Sequence, residues 1–148
     1  MSRTIKDILA LFPETTKKDW KQHARGDGWV CSTAHAHESS FIEGIVCGNA
    51  RVYGNAWVFG DAWVYGDARV FGDAWVYGDA WKTTPLLVQG TKHTATNCKH
   101  GFIAIGCQVH TFAHWQTHVE SIARSHGYTE VEVAEYRSIV DFMVKVGK

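Results

Sequence analysis

Residues 51–82 read RVYGNAWVFGDAWVYGDARVFGDAWVYGDAWK, a six-residue sentence repeated with few changes. The frame is Ala-x-Val-aromatic-Gly-Asx, with valines at 52, 58, 64, 70 and 76 and alanines at 50, 56, 62, 68, 74 and 80. A short fixed period of this kind marks a solenoid and governs the reading of every residue in it. Each unit supplies one short strand and one corner, so three units close a triangular coil of about 18 residues. Val fills the axis, Ala fits the tight corner, and Gly followed by Asp or Asn supplies the backbone freedom of the turn. Looser copies run upstream through Gly44-Ile45-Val46, Ser40-Phe41-Ile42 and Ala34-His35-Ala36. The step from Ile42 to Val46 is four residues instead of six, which predicts one distorted corner. Together the copies make about three coils, stacked at about 4.8 Å.

An aliphatic residue followed four positions later by a small one (Val52 and Ala56, Val58 and Ala62) resembles the hexapeptide-repeat superfamily. The resemblance implies a left-handed parallel β-helix; the hand comes from the resemblance, because the general crossover rule favours the opposite one.

Strand alternation places the residues flanking each Val on the outside. Trp57, Phe59, Trp75 and Tyr77 then share one wall, Trp63, Tyr65 and Trp81 a second, and Arg51, Tyr53, Arg69 and Phe71 a third. Stacked rings stiffen such a sheet. Ring stacking alone does not account for bare aromatic walls, because a monomer rarely exposes a large contiguous apolar patch. The terminal segments, another subunit or a partner must cover at least one of them. Hexapeptide-repeat proteins form trimers through their prism faces, so the resemblance implies a homo-oligomer, with a trimer favoured and a dimer as the alternative. On the third wall, Arg51 and Arg69 are suited to hold a phosphate or carboxylate while Tyr53 or Phe71 stacks on a base. The competing reading leaves both Arg as a solvent face or laid over neighbouring rings. The candidate ligand- or partner-binding residues are Arg51, Tyr53, Arg69, Phe71, Trp57, Trp75 and Trp63. The acidic corners at Asp61, Asp67, Asp73 and Asp79 are explained by turn chemistry without a metal ion.

The flanking regions differ. Residues 1–28 read as an N-terminal helical cap: Thr4 caps IKDILALF with Asp7 completing the box, Pro13 stops it, and a second piece covers KKDWKQHA. Residues 29–84 form the β-helix. Residues 85–148 hold three short strands, with Lys99-His100-Gly101 as a hairpin turn, then two helices opened by Thr111 and by Thr129 with Glu132. Phe112, Trp115, Val119 and Ile122 stripe the first helix, and Val133, Tyr136, Val140 and Met143 the second. The three regions are expected to fold as one cooperative, mainly β unit, with the helices on either side covering the ends of the prism.

Fifteen basic and fifteen acidic residues cancel, which gives no strong nucleic-acid signal. No segment has the apolar length of a membrane span, the N-terminus lacks a signal-peptide core, and Cys31, Cys47, Cys98 and Cys107 read as reduced thiols. A cytoplasmic protein is expected.

Enzymatic readings find little support. An acetyl-CoA-dependent trimeric acyltransferase would need a general base, and His35 and His37 are the only His near the repeat. A zinc site built from Cys98, His100, Cys107 and His110 fails on hairpin geometry, and His110, His114 and His118 lack a fourth ligand. No catalytic residue, cofactor or metal is assigned. The stretches IAIGCQVHTFAHW and HGYTEVEVAEYRSIVDF, following PLLVQG, are similar to a group of small bacteriophage and prophage hexapeptide-repeat proteins of unassigned function. In that group acidic residues open the Trp115 helix, where this chain has Ala113 and His114. The resemblance implies a phage-type setting, that of a bacterial host's cytoplasm. The expectation is a non-catalytic, oligomeric binding protein that antagonises host defence by sequestering an anionic nucleotide-like ligand or docking on a host protein. The alternatives are the acyltransferase and a purely structural assembly unit.

Overall fold

Each copy of the frame becomes one strand and one corner. The computed structural model describes residues 3–148, and the chain divides between Thr84 and Pro85 into two units. In the first unit, β1 (Trp20–Gln22) precedes three coils. The first coil is β2 (Trp29–Cys31), β3 (His35–Ala36) and β4 (Phe41–Ile42). The second is β5 (Ile45–Val46), β6 (Arg51–Val52) and β7 (Trp57–Phe59), and the third β8 (Trp63–Val64), β9 (Arg69–Val70) and β10 (Trp75–Tyr77). A further strand, β11 (Ala80–Trp81), begins another turn. The strands stack as three parallel walls, β2-β5-β8-β11, β3-β6-β9 and β4-β7-β10, with β1 added antiparallel to β2. Val46, Val52, Val58, Val64, Val70 and Val76 line the buried axis with the corner alanines from Ala50 to Ala74.

Register confirms the compressed corner. Arg51 faces Arg69 and Trp57 faces Trp75, an offset of 18 residues, whereas His35 faces Arg51 and Phe41 faces Trp57, an offset of 16. The first coil is therefore two residues shorter than the second.

At the corners, Gly48 and Gly72 both adopt a left-handed conformation, with φ of 64° and 58°. A Cβ on Gly48 would lie 2.8 Å from the Gly66 nitrogen of the next coil, whereas one on Gly72 meets nothing within 4 Å. Both Ala substitutions forfeit about 1–2 kcal/mol through the left-handed backbone. Gly48→Ala is expected to cost more than Gly72→Ala by the added steric term, which parallel urea titrations of the two variants measure.

Helix α1 (Ile5–Leu11) starts at Thr4, where the Asp7 carboxylate accepts from the Thr4 amide at 2.7 Å and the Thr4 hydroxyl accepts from the Asp7 amide at 3.3 Å. It does not cap an end of the prism. It lies on the β2-β5-β8-β11 wall, where Ile8 is buried with Trp20, Ile45 and Cys47, and Ile5, Leu9 and Phe12 pack beside Trp29, Trp63 and Tyr65. The helix expected over KKDWKQHA is also corrected. Lys17–Asp19 is a single 3-10 turn and Trp20 enters β1, because pairing Trp20 with Cys31 and Gln22 with Trp29 satisfies the open edge of the first coil.

The second unit is a four-stranded antiparallel meander carrying a helical hairpin. Its strands are β12 (Leu87–Gln89), β13 (Thr94–Lys99), β14 (Phe102–Ile105) and β15 (Gln108–Thr111), followed by α2 (Phe112–Ser125) and α3 (Glu130–Val146). Four strands replace the three expected, because Leu87–Gln89 pairs with β13 as its own edge strand. The hairpin turn sits as expected, with Lys99 facing Phe102. Trp115, Val119, Val133, Tyr136, Val140 and Met143 are buried against Ala95, Ile103 and Ile105. Among the described residues no helix is long and apolar enough to cross a membrane.

Candidate binding walls

The three walls differ in what lies over them within the first unit. On the helix-covered wall, Trp63 is half-buried, with the Phe12 ring 5.3 Å away and Phe12 in turn 5.0 Å from Trp20. Arg3 pins the edge of this wall: its guanidinium bonds Asp61 at 2.8 Å, and its carbonyl accepts from the Trp29 indole at 2.8 Å. Of the candidate residues, Trp63 is thus occupied by the chain's own N-terminal segment. Burial also raises the Cys47 thiol on this wall to about 11, with Cys31 as a lesser cause, which keeps it protonated and unreactive at neutral pH.

Trp81 does not join Trp63 and Tyr65. The register sets Ala80 opposite Trp63 and Trp81 opposite Val64, so the indole turns inward and is only 1% exposed. The six-residue frame runs unbroken from Trp75 to Trp81, but the pairing offset here is 17 residues against 18 for Trp57 and Trp75, and a one-residue slip moves a side chain from one face to the other.

The tryptophan wall, β4-β7-β10, carries two ring columns. Phe41 stacks on Trp57 at 4.9 Å, Trp57 lies 5.9 Å from Trp75, and Phe59 stacks on Tyr77 at 5.0 Å. Among the described residues of the first unit no apolar cluster covers these rings in the way that α1 covers the first wall, and Trp57 is 40% exposed. Glu43 closes the lower end of the second column, its carboxylate accepting from the Gly60 amide at 2.8 Å.

On the arginine wall, β3-β6-β9, the cationic column is His35, Arg51 and Arg69 in register. Beside it Tyr53 lies 5.5 Å from His35 and 5.3 Å from Phe71. The Arg51 guanidinium donates to its own Tyr53 hydroxyl at 3.3 Å, whereas the Arg69 side chain has no hydrogen bond or ion pair among the described residues. The Arg69 amide is held by the Thr84 hydroxyl at 3.0 Å. The Tyr53 ring is tilted by 44° to His35 and by 33° to Phe71, and Phe71, the last ring of the column, is 43% exposed. Arg51, Tyr53, Arg69 and Phe71 therefore come together on one wall, Trp57 and Trp75 on another, and Trp63 on the third.

His35 and His37 are both exposed. His37 Nδ1 is 2.7 Å from the Ser39 hydroxyl, which donates to the Gly54 carbonyl at 2.5 Å, so these polar side chains hold a turn. In the second unit, His110, His114 and His118 form a stack with centroids 4.3 and 4.2 Å apart. Burial, then His114 and His118, push His110 below the ordinary imidazole range. Parallel rings aim their nitrogens side by side, and among the described residues no three metal-ligating side chains converge. Sequence reasoning saw the i, i+4 spacing of these His but not their stacking with the strand residue His110.

A family model described as the YdcK beta solenoid repeat matches residues 46–60 and 62–78, the stretch that forms the second and third coils. No curated protein and no solved structure matches the chain.

Proposed function

We propose that this chain is a non-catalytic binding protein acting as a homo-oligomer, joined through its tryptophan wall, with the arginine wall offered to an anionic nucleotide-like ligand or to a host protein. The observation that carries this reading is the double column of rings on β4-β7-β10, which leaves Trp57 at its centre 40% exposed. Trp, Tyr and Arg are the residue types that concentrate binding energy at interfaces, and a flat stacked wall suits another surface better than an enclosed substrate. Arg69 beside the exposed Phe71 ring supports an anion next to a planar group. The six-residue frame supports a left-handed hexapeptide solenoid. The likeness of the C-terminal stretch to small phage proteins supports a phage setting, in which antagonism of host defence is the corresponding role.

Native mass spectrometry of the protein as purified from cells tests this reading. The expected result is a closed oligomer, a trimer before a dimer, with bound mass of mononucleotide size that is lost on denaturation and with fewer copies bound per subunit in Arg51→Ala/Arg69→Ala. A monomer at micromolar concentration overturns the assembly. Bound mass per subunit left unchanged by loss of both Arg overturns the role of the arginine wall.

A further inference from the structure

The first coil has no coil beneath it, and its underside is only partly closed. Beneath β2 stands β1, paired from Trp20 with Cys31 to Gln22 with Trp29. Under β4, residues 23–28 fold back: the Gly28 amide donates to the Ile42 carbonyl at 2.7 Å and the Ile42 amide to the Arg25 carbonyl at 2.9 Å. The His23 imidazole fills the space between, 3.0 Å from the carbonyls of Arg25 and His37. Among the described residues no strand pairs beneath β3, which is the edge of its sheet. The gap is a cleft of about 610 Å³, within the ~300–1,000 Å³ typical of small-molecule sites.

The composition of the cleft is specific. Its floor is Val30, Ala34 and Ala36, half-buried against the solenoid core. Ala36 stands in a column that carries Val52 and Val70 in the coils above, so the column narrows where it meets the cleft. The amides of His35 and His37 bond upward, to Ala50 at 3.0 Å and Val52 at 2.8 Å. Backbone groups alternate sides along a strand, which turns the N–H and C=O of Ala36 toward the open edge. Lys18 and Lys21 stand on the β1 side. The Asp19 carboxylate there is engaged by the Thr16 amide at 2.8 Å and hydroxyl at 3.0 Å, which leaves Glu38 as the opposing acidic side chain.

We propose that this cleft binds a flat heterocycle bearing an anionic group, of mononucleotide size. The ring lies on the Ala34 and Ala36 floor, its donor and acceptor atoms pair with the N–H and C=O of Ala36, and the anion meets the ammonium groups of Lys18 and Lys21. The site lies at the β3 edge of the arginine wall's sheet, where His35 lines it, and uses none of Arg51, Arg69, Tyr53 or Phe71.

The test titrates AMP, GMP and CMP into the full chain by calorimetry, with adenosine as the uncharged control. Ala36→Val introduces the side chain that the same column already carries at positions 52 and 70, so its melting temperature should hold or rise while the cleft shrinks. Saturable binding of at least one nucleotide is expected. In the Arg51→Ala/Arg69→Ala background, where the arginine wall is silent, it should persist, and it should weaken at least about tenfold when Ala36→Val or Lys18→Glu/Lys21→Glu is added. The proposal is overturned if none of the three nucleotides binds, or if binding survives both cleft variants. Loss in the arginine variant alone moves the ligand to the arginine wall and also overturns it. Adenosine binding as tightly as AMP removes the anionic part of the assignment.

Discussion

Trp81→Ala is expected to destabilise the solenoid unit by about 3–5 kcal/mol, the range for removing a fully buried large aromatic side chain. The six-residue frame would place this indole on a wall beside Trp63, where truncation would cost far less. The register instead sets it opposite Val64, and it belongs to the same core as Val46, Val64 and Ala62. No full coil follows it, so the indole closes the axis that another set of valines would otherwise continue. Its removal leaves a cavity that the rigid coil below cannot collapse to fill. Urea unfolding followed by tryptophan fluorescence measures the loss, with Phe71→Ala as a comparison at an exposed ring. A cost below about 1 kcal/mol for Trp81→Ala would return the indole to the surface.

A second large effect is expected from Trp57→Glu combined with Trp75→Lys. The two positions face each other one coil apart, so opposite charges there pair within the wall and spare the fold. Between subunits the same change removes two apolar anchors and leaves charges in their place. If each indole contributes about 2 kcal/mol to the interface, the subunit dissociation constant rises about a thousandfold. Light scattering behind a sizing column should then show monomer at concentrations where the native chain is assembled, with the melting temperature nearly unchanged. An oligomer of unaltered mass would show that the tryptophan wall is not the contact.

The coils were legible because their information is local and repeated: each Val, each Ala and each Gly-Asx says the same thing as its neighbours. The short corner between Ile42 and Val46 could be read for the same reason, as a break in a count. Helix starts at Thr4 and Thr129 were legible from their capping boxes, and the α3 stripe from Val133 to Met143 from its period. What failed was information held between distant residues. Ala80-Trp81 copies Ala62-Trp63 letter for letter and in frame, and only a pairing offset of 17 residues instead of 18 reverses the indole. Trp20-Lys21-Gln22 has ordinary helix formers around it, yet the unpaired edge of β2 draws it into a strand. The candidate walls could be grouped from spacing alone, but nothing in the repeat says which one is covered. That depends on Ile8 and Phe12, far away in the sequence, and the basal cleft depends on where residues 17–28 turn back.

The placement of α1 also sets an order of events during synthesis. The helix leaves the ribosome before the wall it docks on, which includes Ile45, Cys47, Trp63 and Tyr65. At roughly 5–20 residues per second, the last of these follows the helix by about 3–10 s. A seven-residue helix is too short to persist alone in water. The N-terminal segment therefore waits as an unstructured leash and closes over the wall only after the third coil has begun. Made before its wall and folded after it, the helix acts as a latch on the finished winding, and a nascent chain stalled before Tyr65 would display the apolar strip that the latch hides.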